Sequence, residues 1–270
     1  MNSALRILIV LLLILVINST RSWAQDDKAS LAKEAANPIA NLMSFPFQNN
    51  IDYDYGEFDR SRNVLNIQPV IPLMGGKLIT RTIIPFVWMP NYDTEDEFLF
   101  KGLSDMTFTA FYVPESEDMM WGLGPVLDIP TGGSKRGSGK WNIGPSVVVL
   151  SQSGDWTLGI LANNVWSFAG DSDRPNINRG LLQYFIVLQL GDGWYVNSAP
   201  IITVNWKAAE GQRWVVPFGL GAGKLSFVGK LPLNLQVGAF YNAVRPDIGP
   251  KWQFRIQAQV LLPTSILTGK

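Results

Sequence analysis

The chain has 270 residues and contains neither histidine nor cysteine. Without histidine there is no Ser-His-Asp or Cys-His triad and no His-ligated zinc. That removes most hydrolase chemistry of exported proteins, and we read the chain as a non-enzyme with no cofactor. Without cysteine there are no disulfides, so stability rests on hydrogen bonding and burial. Charge is sparse as well. Asp, Glu, Lys and Arg make up 16% of the chain, with 22 basic residues balancing 22 acidic ones. Nucleic-acid binding needs a basic excess, and none exists. Long apolar runs are also missing. Beyond the first two dozen residues nothing approaches the ~18 apolar residues of a membrane-spanning helix.

What is present starts with a leader. Arg6 precedes an apolar run from Ile7 to Ile17, and Ser22-Trp23-Ala24 offers a small-x-small cleavage site. This describes a secretory signal peptide over residues 1–24. Removing Arg6 and Arg21 leaves 20 basic against 22 acidic residues, a net charge of −2. Residues 25–43 form a second leader. Asp27 to Asn37 is rich in helix formers, and Pro38 ends the pattern. Two readings stand: a short surface helix or disordered leader, and a periplasmic helix that partly plugs a barrel mouth.

Aromatics are abundant, with ten Trp, fourteen Phe and seven Tyr, and from residue 44 apolar and polar residues alternate. Trp252, Phe254, Ile256, Ala258, Val260 and Leu262 fall on one face, and Lys251, Gln253, Arg255, Gln257 and Gln259 on the other. A strand separates these sets and a helix mixes them. The pattern recurs over 44–55, 63–71, 104–113, 119–130, 140–150, 156–168, 180–190, 194–206 and 231–243. It is less clean over 77–88 and 212–227. About twelve strands result, mostly 10–14 residues long. Soluble strands average ~5–6 residues, whereas tilted strands that cross a bilayer need ~9–11. Tryptophans fall near strand ends, as interfacial girdles do. Connections alternate between longer segments, such as 89–103 and 131–139, and short turns, such as Met74-Gly75-Gly76, Gln152-Ser153-Gly154 and Gly191-Asp192-Gly193. The expected fold is therefore all-β: a transmembrane antiparallel up-and-down barrel over 44–262, with the short turns in the periplasm and a tail over 263–270.

Strand parity then names an inward face: Gln48, Asn50, Asn66, Gln68, Asp128, Asn142, Asn163, Gln183, Asn197, Asn234, Gln236, Arg255 and Gln257. Such a wall is either a hydrated lumen without specificity or a guide for a solute. Arg81, Arg213, Lys251 and Arg255 form a candidate cationic strip favouring anions. Asp52 with Asp54, and Asp93 with Glu95 to Glu97, lack any fixed ligand spacing and read as solvated acids rather than calcium or acid/base pairs.

The stretch PTGGSKRGSGKW (130–141) mimics a phosphate loop. In the Gly139-Lys140 register Ser134 stands where the first glycine belongs, and Trp141 where a hydroxyl belongs. It also joins two strands, so it reads as a flexible extracellular loop, with Lys135 and Arg136 as loop charges, Lys140 pointing inward and Trp141 outward.

Several phrases resemble a bacterial outer-membrane family, the putative meta-pathway of phenol degradation proteins, often labelled transporter or neuromedin U. They are ANPIANLMSFPFQNN (36–50), NIQPVIP (66–72), LITRTIIPF (78–86), the pattern at 130–141 and RPDIGPKWQFRIQ (245–257). The resemblance spans about 36–262. It implies a Gram-negative outer-membrane barrel passing aromatic or other hydrophobic compounds, and it brings no catalytic residues. One departure from the general barrel pattern is that Leu262 is followed by PTSILTGK, not by a terminal aromatic. The partners implied are outer-membrane lipid and a small solute whose identity, like the oligomeric state, the residues leave open. The alternatives are a non-conducting structural or adhesive outer-membrane barrel and, third, a soluble secreted barrel that binds an apolar ligand.

Overall fold

The computed structural model describes residues 28–91, 98–116 and 119–264. The signal-peptide residues, and Asp93 with Glu95 to Glu97, lie outside them. Twelve strands follow one another around a single sheet. They are β1 (Met43–Tyr55), β2 (60–73), β3 (Leu78–Pro90), β4 (98–112), β5 (Met120–Ile129), β6 (Lys140–Ser153), β7 (Trp156–Gly170), β8 (Asn178–Gly191), β9 (194–205), β10 (Trp214–Val228), β11 (Leu231–Val244) and β12 (Trp252–Leu262). Each pairs antiparallel with its chain neighbours, and β12 returns to β1 from Met43↔Leu262 to Tyr53↔Trp252. The sheet is thus a closed barrel without a free edge, which satisfies the backbone internally.

The two segments with unclear alternation are full strands, β3 and β10. Residues 98–103, expected within a connection, instead extend β4 and pair with β3 from Pro90↔Phe98 to Phe86↔Leu103. Their run Phe98-Leu99-Phe100 does not alternate, and Phe98 and Leu99 are both exposed. Backbone pairing there continues without an amphipathic pattern to announce it.

Proline and glycine interrupt the ladder at defined heights. β2 breaks at Gln68-Pro69 and β9 at Ala199-Pro200. Pro125 of β5 faces Pro145 of β6. The glycine before each stands where the wall crowds. A Cβ on Gly124 would lie 1.7 Å from the Ala110 carbonyl oxygen, and one on Gly144 would lie 1.7 Å from that of Asn164. Only glycine allows this approach.

The surface is inverted relative to a soluble protein. Outward side chains such as Leu123, Ile143, Leu158, Ile160, Leu220, Leu235 and Ile256 are exposed and apolar, while Asp52, Asp128, Asn142 and Arg255 are 1–2% exposed inside. Tryptophans border this belt. Trp121, Trp156 and Trp194 lie toward the short turns. Trp141, Trp166, Trp206, Trp214 and Trp252 lie toward the long connections, all of them exposed. Trp206 and Trp214 meet edge to face at 5.5 Å.

Candidate functional site

The lumen has three levels. The level at the short turns is closed by residues 28–42. Helix α1 (Lys28–Ala35) is too short to persist alone, and tertiary packing holds it. Leu31, Ala32, Ala40 and Leu42 pack on the inward side chains Leu225 and Leu261. Ile39 reaches the opposite wall, against Val70, Ile79, Phe111, Val148, Leu150, Leu161 and Phe185. Polar ties complete the seat. Gln152 Nε2 donates to the Lys33 carbonyl at 3.0 Å, Gln259 Nε2 to that of Ala35 at 3.3 Å, and Lys28 Nζ to Asp192 Oδ1 at 3.0 Å. The hydrogen bond and charge of Lys28 hold the Asp192 carboxyl below its usual range, whereas burial pushes Glu34 up.

Above this seat lies a polar chamber of about 140 Å³. Gln48, Gln68, Gln183, Asn197, Asn234, Gln236, Arg255 and Gln257 line it, together with Tyr195 and Arg81. Tyr195 Oη donates to Asn234 Oδ1 at 3.0 Å. Arg255 donates to Asn50 Oδ1 at 3.0 Å, to the Ala199 carbonyl at 2.9 Å and to Gln253 Oε1 at 3.1 Å, and lies 4.7 Å over the Phe240 ring. The break before Pro200 explains this anchor. Across it, residues 198–202 and 216–220 leave the β9–β10 ladder, and the Ala199 carbonyl also accepts from Gln183 Nε2 at 3.3 Å. Proline supplies no N–H, so its neighbours turn to side chains. The Gln68-Pro69 break differs: the Gln68 amide donates to the Pro46 carbonyl at 2.9 Å and the Thr82 amide to the Pro69 carbonyl at 3.0 Å, while Arg81 donates to the Gln68 side chain at Oε1.

The third level is a vestibule of about 970 Å³ facing the long connections. Asn66, Asp128, Asn163 and Gln183 line it, and Arg81 marks its boundary with the chamber. Asp128 accepts from Thr107 Oγ1 at 2.7 Å, from Arg179 Nη2 at 2.7 Å and from Asn142 Nδ2 at 3.2 Å. Asp52 accepts from Arg62 Nη2 at 2.6 Å and from Gln253 Nε2 at 2.9 Å.

The cationic residues separate. Arg81 and Arg255 are inside, and Arg213 lines the vestibule. Lys251 is not with them: it is half-exposed and faces Asp59 at 3.7 Å on the connections. It precedes β12, so strand parity no longer governs it. Asp52 and Asp54 do not pair either, because the register shifts between Asp52 and Tyr55 and Asp54 takes a positive φ of 55°. Among the described residues no group of three acidic or other ligating side chains is placed to hold a metal ion. Arg62, Arg179 and Lys207 escaped the sequence reading. Arg62 shares parity with Asn66, and Arg179 with Gln183, so carrying the alternation one residue beyond the segments 63–71 and 180–190 would have found both.

The stretch at 130–141 is tied down rather than loose. Residues Gly133–Arg136 make one helical turn. Asp105 accepts from the Gly132 amide at 3.0 Å and the Ser138 amide at 2.6 Å, while Arg174 Nη2 donates to the Gly137 carbonyl at 2.6 Å. Lys140 is buried and Trp141 exposed.

No protein-family model matches the chain, and no curated protein sequence matches it. Solved structures do. A COG4313 outer membrane channel from Pseudomonas putida F1 superposes with a TM-score of 0.56 at 16% identity, over 82% of this chain and 96% of that one. The fold is that of an outer-membrane β-barrel. The NanC porin gives a TM-score of 0.53 at 8% identity, over 81% of this chain and 98% of that one. At these identities the likeness concerns the fold.

Proposed function

We propose that the chain is a Gram-negative outer-membrane channel through which a small solute passes passively. The observation that carries this reading is the inversion: an apolar belt between tryptophan girdles outside, and a polar lumen with a vestibule of about 970 Å³ inside. Solutes enter from the long connections, cross the amide-lined chamber and leave past the segment 28–42, which acts as a movable closure. Twelve strands suit this, since eight are filled by side chains and about sixteen leave an open aqueous pore. The fold likeness to a COG4313 outer membrane channel supports passage, and only the resemblance of several phrases to the phenol-degradation family points to a solute with an apolar part.

Fractionation and planar-bilayer recording test the reading. The protein should sediment with outer membranes, migrate differently on gels when unheated, and conduct in bilayers. Recovery as a freely soluble periplasmic monomer would end it. A non-conducting barrel is the second reading, favoured by how fully Ile39, Phe111, Leu150, Leu161 and Phe185 fill the short-turn level. Absence of both conductance and solute flux, including from a chain lacking 28–42, would select it.

A further inference from the structure

Among the described residues, two arginines inside the lumen have no carboxylate within ion-pair distance, Asp52 acting on Arg255 only at longer range. Arg81 and Arg255 line the chamber, and Arg81 also lines the vestibule. Every partner described for them is neutral: Gln68 for Arg81, and Asn50, Gln253 and Ala199 for Arg255. Among the described residues no Asp or Glu lies within ion-pair distance of either guanidinium. The two buried acids are already occupied. Asp128 pairs with Arg179, and Asp52 pairs with Arg62 and connects to Arg255 through the amide of Gln253.

Cations held in a low-dielectric wall are costly without a counter-charge. The excess is local. Among the described residues, the vestibule and chamber are lined by Arg81, Arg179, Lys207, Arg213 and Arg255 against Asp128, a balance of five to one, although residues 25–270 carry a net charge of −2. The vestibule wall also supplies Val64, Ile83, Val126 and Ile201, and its base reaches Phe111 and Leu161 of the short-turn level. Arg81 and Arg255 lie deepest, Arg179, Lys207 and Arg213 stand toward the long connections, and the apolar wall between them suits a charged head on an apolar body.

We propose that this level binds small organic anions, with a carboxylate head on Arg81 above the Arg255 chamber and an apolar body on the vestibule wall. This rests on the channel reading for passage but not for binding. The amides around Arg255 then serve as the next station for the head group, since they can rotate to donate.

The test uses the full mature chain in nanodiscs, with unheated gel mobility as the folding check. Isothermal titration with hexanoate, hexan-1-ol and hexylammonium compares one apolar body under three head groups. Hexanoate should bind, hexan-1-ol should bind at least roughly tenfold more weakly, and hexylammonium should not bind. Arg81→Gln should weaken hexanoate roughly tenfold or more and leave hexan-1-ol unchanged, while Arg81→Lys should restore part of the loss. Equal binding of hexylammonium, or unchanged hexanoate binding in folded Arg81→Gln, overturns the proposal. Displacement of hexanoate by chloride at equal concentration overturns the role of the apolar wall. Hexanoate binding without bilayer conductance leaves the anion site standing and removes the channel. Conductance with a cation-selective reversal potential that Arg81→Gln does not move does the reverse.

Discussion

Releasing the segment 28–42 is the sharpest perturbation of this molecule, and Leu31→Asp is the substitution that should do it. Leu31 is 2% exposed and packs with Ala32, Ala40, Leu42, Leu225 and Leu261. Truncating such a leucine costs about 2–5 kcal/mol, and a carboxylate in its place adds a desolvation cost with no partner. A loss of about 3 kcal/mol moves the ratio of docked to undocked segment roughly a hundredfold. The barrel should stay folded, because its strand ladder closes from β1 to β12 without α1. Lys28→Ala is the matched control. It removes the Lys28–Asp192 pair, whose carboxylate is mostly exposed, so it should change little. Planar-bilayer recording should show longer or larger open states for Leu31→Asp than for the parent. Trypsin should cut at Lys28 or Lys33 in the variant faster than in the parent. Parent-like conductance and parent-like trypsin resistance, in a variant that keeps its unheated gel mobility, would refute the claim that hydrophobic seating closes the lumen.

Further expectations concern the wall, the lumen charge and pH. Gly144→Ala should lower assembly yield and stability by about 1–3 kcal/mol or more, because its Cβ would meet the Asn164 carbonyl oxygen at 1.7 Å. Gly154→Ala, at φ 52° with nothing within 4 Å, should cost roughly 1–2 kcal/mol; equal losses in thermal melts would discount the crowding. Asp128→Asn removes the charge opposite Arg179 and should move the reversal potential in a KCl gradient toward anions, with about 1–2 kcal/mol of lost stability because Arg179 is half-exposed. An unmoved reversal potential counts against a charge-lined path. For pH, Glu34 is raised from 4.5 by burial. Its contribution to docking is full below the ordinary glutamate pKa and lost as pH rises through the raised value. Glu34→Gln should therefore flatten the rise in open probability with pH, and a profile identical to the parent would exclude Glu34 as its source. Asp192, lowered by Lys28, acts oppositely, stabilising above its unfolded pKa and losing that effect in acid.

Period-two alternation made most of the barrel legible, because one face of each strand meets an apolar surround and the other a polar lumen. It also predicts an inward side for thirteen polar residues from Gln48 to Gln257, of which Gln48, Asn50, Gln68, Asp128, Asn142, Asn197, Asn234 and Arg255 are buried. It failed where the chain leaves that two-sided setting. Lys251 lies before β12, Asp54 sits at a register shift, and Phe98-Leu99-Phe100 continues the ladder without alternating. The likeness of 130–141 to a phosphate loop dissolved for a related reason. Its glycines serve a turn whose amides and carbonyls are held by Asp105 and Arg174, both remote in sequence.

The sequence by itself determined the strand count, the facing of most side chains and the absence of histidine and thiol chemistry, since these depend on composition and on spacing along one strand. Only the tertiary structure decided that the residues before β1 fold back across the lumen. Their neighbours Leu225 and Leu261 lie nearly two hundred positions or more away, and an eight-residue helix carries no local sign of where it docks. The tertiary structure also decided which charges are balanced. Asp128 meets Arg179 and Asp52 meets Arg62, while Arg81 and Arg255 face amides and a carbonyl. Charge pairing is a short-range matter of angstroms across the lumen, and the order of residues along the chain does not encode it directly.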